Sequence, residues 1–157
     1  MEGIMQEYRF SKYKIKLVKE SGKVYPEYKI TQPSDLNALC FEVFKLHEQT
    51  EEHFCLVTLD GAHKINGAFT CSIGLLNSSQ VHPREVYKRA LLNNSAAVIF
   101  IHNHPSGVLQ PSEADCKVTK TLIEAGEILG IKVLDHLICG PEKNSVSMRD
   151  MGSLIFS

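Results

Sequence analysis

The sequence predicts an α/β fold, with helices packed around a mixed sheet, on three observations. Segments with the two-residue period of strands alternate along the chain with segments of helical period. One strand segment, AAVIFI at 96–101, is apolar throughout, as a central strand covered on both faces must be. The 157 residues, 43% hydrophobic and 22% charged, suit one compact domain with a real core and are too few for two.

The elements follow in order. YKIKLV at 13–18 puts Tyr13, Ile15 and Leu17 on one face and Lys14 and Lys16 on the other, a half-exposed strand. YPEYKI at 25–30 is its expected partner across the Gly22 turn, which makes residues 1–30 a strand pair packed on a domain spanning 31–157. Pro33 and Ser34 open a helix whose stripe is Leu36, Leu39, Val43 and Leu46. FCLVTLD (54–60) reads as a strand, Gly61 to Lys64 as a turn, and INGAFTCSIGLL as a less regular return strand. Pro83 stands where a first helical residue belongs, and PREVYKRALL forms a short helix with Val86, Ala90 and Leu91 inward. After the strand 96–101, a second such helix begins near Ser112. It carries Ala114, Val118, Leu122, Ala125 and Leu129 on one side and stops at Gly130. IKVLDHLIC (131–139) is a further strand.

Composition narrows the function. A formal net charge of −1 provides no global basic field to draw the chain onto nucleic acid or an anionic membrane. The segment MEGIMQEYRF lacks the apolar centre of a signal peptide, and no apolar run approaches the roughly 20 residues of a spanning helix. The five cysteines (Cys40, Cys55, Cys71, Cys116, Cys139) never form CxxC, which suits buried thiols in a reducing compartment. A cytoplasmic, globular protein is expected.

The stretch HNHPSGVLQPSEAD, from His102 to Asp115, carries the chemistry. In α/β folds sites gather at the carboxyl ends of strands, and His102 and His104 lie at that end. Residues i and i+2 of a strand share a face about 6.6 Å apart, so two imidazoles can converge on one ion. Ser112 is a good helix N-cap, which sets Asp115 third in the helix, and PSGVLQP is a stiff connection able to fold that turn over the strand end. Two neutral imidazoles and one carboxylate leave zinc's fourth position open for water, as in catalytic sites. A nearby glutamate then serves as general base.

Blander readings exist for each part. A lone histidine after a strand is usually a turn residue, and Ser112-x-x-Asp115 alone is usually helix capping. Their co-occurrence at this spacing arises by chance on the order of once per thousand such chains, so the metal reading is preferred.

The pattern H-x-H-x7-S-x2-D, here His102, His104, Ser112 and Asp115, resembles the metal signature of JAB/MPN-type (JAMM) domains. The strings VHPREVYKRAL, AAVIFIHNHPSG, PSEAD and GIKVLDHLI are similar to the RadC-like branch in particular, over roughly residues 31 to 153. The resemblance implies a deaminase-like fold, a three-layer α/β/α sandwich holding one Zn2+. It implies metallopeptidase or isopeptidase-like chemistry on a protein or peptide substrate, with Ser112 hydrogen-bonding the developing oxyanion. It also places a catalytic glutamate just before the strand FCLVTLD, where Glu51 and Glu52 compete. Glu52 is favoured because one residue separates it from Phe54, as in the family, and it shares that strand parity.

Other residues carry less. Glu85 is a second candidate base whose position after Pro83 suits helix capping. Cys116, one residue beyond Asp115, points about 100° away on a helix. Asp135 and His136 divide between supporting the site and forming an edge pair. His63 and His82 read as turn residues, and Arg84 as a solvated helix start.

Members of the RadC-like branch typically carry a helix-hairpin-helix region ahead of this domain. The chain leaves no room for it, so strong nucleic-acid binding is not expected of this chain alone. The alternatives to a hydrolase are a DNA-repair-associated protein and a metal-holding binding module without catalysis; a homo-oligomer is compatible with either. Contiguous HNH is not the dispersed motif of HNH nucleases, and HxE and PCxxC, needed for a cytidine deaminase, are both missing.

Overall fold

The structure is a computed structural model that describes residues 29–74 and 81–156, together with residues 14 and 18. The expected strand pair within residues 1–30 lies almost wholly outside the described residues. Of it, Lys29 forms one antiparallel bridge to Lys64.

Five strands form one mixed sheet: β1 (His53–Leu59), β2 (Ile65–Ile73), β3 (Ala97–Asn103), β4 (Lys132–Cys139) and β5 (Ser145–Ser147). Their order is β2-β1-β3-β4-β5. β1 runs antiparallel to β2 and β3, β3 is parallel to β4, and β5 closes antiparallel on β4. The Asp60 carboxylate accepts from the backbone of Ala62 and Lys64 and so tightens the turn between β1 and β2. The short β5 has too few residues to register as a period and was not expected from the sequence.

Both faces of the sheet are covered, giving three layers. On one face α1 (Pro83–Leu92) and α2 (Glu113–Leu129) pack on Phe54, Leu56, Val98, Phe100 and Val133. On the other, the helical stretch from Pro33 to Glu48 packs on Cys55, Val57, Leu59, Ile99 and Ile101. The alternation along β3 is therefore apolar on both sides, and every residue of that strand is buried.

The helical segments depart from expectation in detail. Residues 33–48 are not one regular helix. A 3-10 turn (Pro33–Leu36) leads into a π-helical turn (Leu39–Val43), and Lys45 at φ 51° precedes a second 3-10 turn. Leu36, Leu39 and Leu46 are buried as expected, but the wider turn brings Cys40 into the core and leaves Val43 half-buried. In α1 the buried residues are Val86, Tyr87 and Ala90, while Leu91 faces solvent. In α2 they are Asp115, Val118, Thr119, Leu122 and Gly126, so Ala114 and Leu129 are exposed. In each helix a residue with a hydroxyl is buried where that group finds a partner. Tyr87 Oη donates to the Leu122 carbonyl at 2.6 Å, and Thr119 Oγ1 to the Asp115 carbonyl at 2.6 Å.

Gly126 is where α2 approaches α1. A Cβ there would meet the Tyr87 hydroxyl and the Ile131 carbonyl inside contact distance. Alanine would gain about 1 kcal/mol in helix propensity. Overpacking against a backbone oxygen costs about 1–3 kcal/mol, and displacing Tyr87 endangers a bond worth about 1 kcal/mol. Gly126→Ala is thus expected to lower the urea midpoint, by about 1–2 kcal/mol of stability. A variant more stable than the parent would mean that the helices separate freely at this contact.

Candidate metal centre

The end of β3 and the first turn of α2 meet at three donors. His102 and His104 share the sheet face turned toward α2, two residues apart as strand geometry requires. His104 lies one residue past β3, yet its N–H donates to the Cys139 carbonyl at 2.9 Å, which carries the β3–β4 pairing past the strand end. Gly107, at φ +79°, turns the following loop so that the Val108 carbonyl returns to His104 Nδ1 at 2.5 Å. Ser112 caps α2: its Oγ accepts from Asp115 N at 3.1 Å, and Asp115 Oδ2 accepts from Ser112 N at 2.7 Å and from Ser112 Oγ at 2.6 Å. That capping box sets the carboxylate over the strand end, third in the helix as the sequence predicts.

The Nε2 atoms of His102 and His104 are 2.9 Å apart. Asp115 Oδ1 is 3.2 Å from the first and Oδ2 is 3.3 Å from the second. Among the described residues, this is the group of His, Cys, Asp or Glu whose ligand atoms, within 4.8 Å of one another, could hold a metal ion. His102 is 0%, Asp115 2% and His104 9% exposed, so access is from the His104 side. Burial lowers the proton affinity of His102 despite Asp115 beside it, whereas the hydrogen bond to Asp115 raises that of His104. Burial works against the Asp115 charge, but hydrogen bonds to His102, His104 and Ser112 outweigh it and hold the carboxyl below the usual range.

Whether the donors suit a cation depends on which nitrogens are bare. The Val108 carbonyl can only accept, so His104 carries its hydrogen on Nδ1 when neutral and Nε2 presents a lone pair to the site. That lone pair and the Asp115 carboxylate, 3.3 Å apart, repel unless a positive charge sits between them. The donor set could hold a divalent metal ion.

A family described as RadC-like JAB domain matches residues 30–153. The chain belongs to this family. Its RadC-like domain has the three-layer α/β/α fold that the resemblance implies. Similar relatives include a UPF0758 protein of Methanosarcina barkeri, 47% identical over 127 residues, covering 81% of this chain and 54% of that protein. Another, from Caldanaerobacter subterraneus subsp. tengcongensis, is 46% identical over 125 residues, covering 80% of this chain and 52% of its own length. A third, from Staphylococcus haemolyticus, is 45% identical over 115 residues, covering 73% and 50% respectively. The chain spans about half the length of the curated relatives it matches.

The structure separates the remaining candidates of the RadC-like domain. Glu52 immediately precedes β1 and is half-buried. The β1–β3 register pairs Phe54 with His102, and continuing it by two residues brings Glu52 opposite His104. Its charge raises the proton affinity of both histidines. Glu51 is exposed and takes the opposite parity. Glu85 pairs with Lys88 at 2.7 Å and Arg89 at 3.7 Å on the outside of α1. Cys116 is half-buried and is not one of the converging donors; all five cysteines are free. His63 occupies a turn at φ 61°, and His82 is the N-cap of α1, accepting from Arg84 N at 3.1 Å. Arg84 is exposed.

Asp135 and His136 part company. Asp135 faces the other layer, where Ser147 Oγ donates to it at 2.6 Å and Arg149 N at 3.2 Å. His136 lies under the donors, with Nε2 2.7 Å from His102 Nδ1, stacked edge-on against Phe54 and Phe100. Beside them the chain continues past β5, and the His136 carbonyl accepts from Met148 N at 2.9 Å.

Two residues escaped the sequence reading. Asn103, between the histidines, points away from them; its Oδ1 accepts from His53 N at 2.7 Å and its Nδ2 donates to the Glu51 carbonyl at 3.0 Å. Its side chain extends the β1–β3 ladder through the segment that bears Glu52. Thr119 joins Asp115 to His136, with its Oγ1 2.6 Å from His136 Nδ1. The signal for Thr119 was its i+4 spacing from Asp115 on the helix. For Asn103 no local signal exists, since only pairing with β1 gives it partners. Among the described residues no helix is long and apolar enough to cross a membrane.

Proposed function

We propose that this domain is a zinc-dependent hydrolase of amide bonds in a protein or peptide, a metallopeptidase or isopeptidase. The observation that supports it most is the convergence of His102, His104 and Asp115, with Glu52 across from His104, the least buried of the three donors. His102 Nε2, His104 Nε2 and the Asp115 carboxylate would hold the ion and leave one position open. A zinc ion held there would supply Lewis acidity, lowering the pKa of water toward about 7. Glu52 would accept the proton of the attacking water and pass it to the leaving amine. The hydroxyl of Ser112, now donated to Asp115 Oδ2, serves first to orient that ligand. Rotation of its hydrogen toward a substrate carbonyl oxygen gives the second role, stabilising the oxyanion.

The test is metal analysis of purified protein beside a panel of peptide, isopeptide and duplex DNA substrates, with and without a chelator. About one zinc per chain and chelator-sensitive cleavage of a peptide or isopeptide are expected. The charge of −1 leads to weak duplex binding, because tight binding needs clustered phosphate contacts. Salt-sensitive, submicromolar duplex affinity would move the DNA-repair reading ahead. Stoichiometric zinc without cleavage of any member would favour the binding module.

A further inference from the structure

The hydrogen bonds beneath the donors have a direction, and the direction sets which face of His102 is bare. Thr119 has one hydroxyl hydrogen. The Asp115 carbonyl, one helical turn back, can only accept, and Thr119 Oγ1 lies 2.6 Å from it. With its hydrogen committed there, Thr119 Oγ1 can only accept from His136 Nδ1, 2.6 Å away. His136 is fully buried among Phe54, Phe100 and His102, where an imidazolium has no counter-charge in contact, so it is neutral. A neutral ring that carries its hydrogen on Nδ1 has a lone pair on Nε2. That lone pair faces His102 Nδ1 at 2.7 Å, so His102 must place its hydrogen on Nδ1. His102 Nε2 is then left bare toward His104 and Asp115.

We propose that Thr119 and His136 are positioning residues that order these protons and hold His102 in the Nδ1–H tautomer. The relay rests on the metal-site reading above and deepens it: it makes the second imidazole a ready ligand before any ion arrives. Its starting point is the backbone of Asp115, itself one of the three donors, so one network orients two ligands from two different elements. The opposite direction, with Thr119 donating to His136, would put a hydrogen on His102 Nε2, where a metal has to bind. The Asp115 carbonyl excludes that direction by taking the hydrogen. Hydrogen-bonded partners behind metal-ligating histidines typically account for about 10- to 100-fold in metal affinity.

The first measurement needs neither metal nor substrate. Long-range 1H–15N correlation spectra of the metal-free protein report which ring nitrogen of each histidine carries hydrogen. Nδ1–H is expected for both His102 and His136; Nε2–H on His102 overturns the relay. The second compares zinc affinity, by chelator competition, in Thr119→Val, Thr119→Ser and His136→Gln. Valine keeps the volume but removes the acceptor. Thr119→Val is expected to weaken zinc about 10- to 100-fold and to change the His102 tautomer, and serine to restore both. His136→Gln, which keeps a side-chain acceptor for His102 Nδ1–H, is expected to lose less than Thr119→Val. A purely packing role would lower thermal stability in these variants with tautomer and zinc affinity unchanged, and that pattern overturns the proposal. If the parent binds no zinc, the hydrolase reading falls, while the spectra of the metal-free protein still decide the relay. If valine and glutamine do not fold, the parent and Thr119→Ser still decide it.

Discussion

Glu52→Gln is expected to keep its zinc and its fold while turnover falls by about 10²-fold or more. Glutamine preserves the size of the side chain and much of its hydrogen bonding and removes only the basicity. The expectation rests on register: Phe54 pairs with His102, so Glu52 falls opposite His104, at the exposed side of the cluster. It is not needed as a ligand, because His102, His104 and Asp115 already provide three. Glu51→Gln and Glu85→Gln serve as controls with parental rates expected. Glu51 is exposed, and Glu85 is engaged by Lys88 and Arg89. Parental activity in Glu52→Gln, with loss in either control, would move the base to that residue. Parental activity in all three would rule out water activation by a glutamate. The substrate used must be one that the parent cleaves.

The metal content of the histidine variants is the second large effect. His104→Ala is expected to lose most of the zinc, and the double variant His102→Ala, His104→Ala essentially all of it. Two of three protein ligands are then gone, and a lone carboxylate at a helix N-terminus has little affinity for zinc. Elemental analysis after dialysis reads the result. Full occupancy in the double variant would overturn the site assignment and turn attention to the cysteines. The His102 change carries a further cost, because it leaves His136 Nε2 buried without its partner. His104, the least buried of the three donors, is therefore the cleaner single variant.

Much of this was legible in the sequence because it is local. The two-residue period of a strand places His102 and His104 on one face wherever the strand runs, and a Ser112 cap places Asp115 in the first helical turn whatever that helix packs against. The apolar run 96–101 is central because a strand with no polar face has nowhere else to go. Gly130, at φ +68°, ends α2 as its position predicts. Each of these inferences uses residues a few positions apart. The choice of Glu52 was of another kind: it came from a family resemblance, and the β1–β3 register supplies an independent reason for it.

What the tertiary structure decided depends on pairing between distant segments. Which helical residues are buried turned on partners such as Leu122 for Tyr87, 35 positions away. Asn103 acquires a role only because β1 lies beside β3. The clearest case is on β4. Val133 and His136 both face α2, although they are three positions apart and a regular strand would put them on opposite faces. The β3–β4 register shifts between the Val98–Val133 and Ile99–Asp135 pairs, so Leu134 is an extra residue and the parity inverts. That single bulge sends Asp135 to the far layer and His136 beneath His102. By itself, the sequence pointed to the three candidate donors and determined the elements that carry them, because short-range periodicity suffices for that. The support behind His102 had to await the sheet, because a bulge is a property of two paired strands and leaves no mark in the period of either.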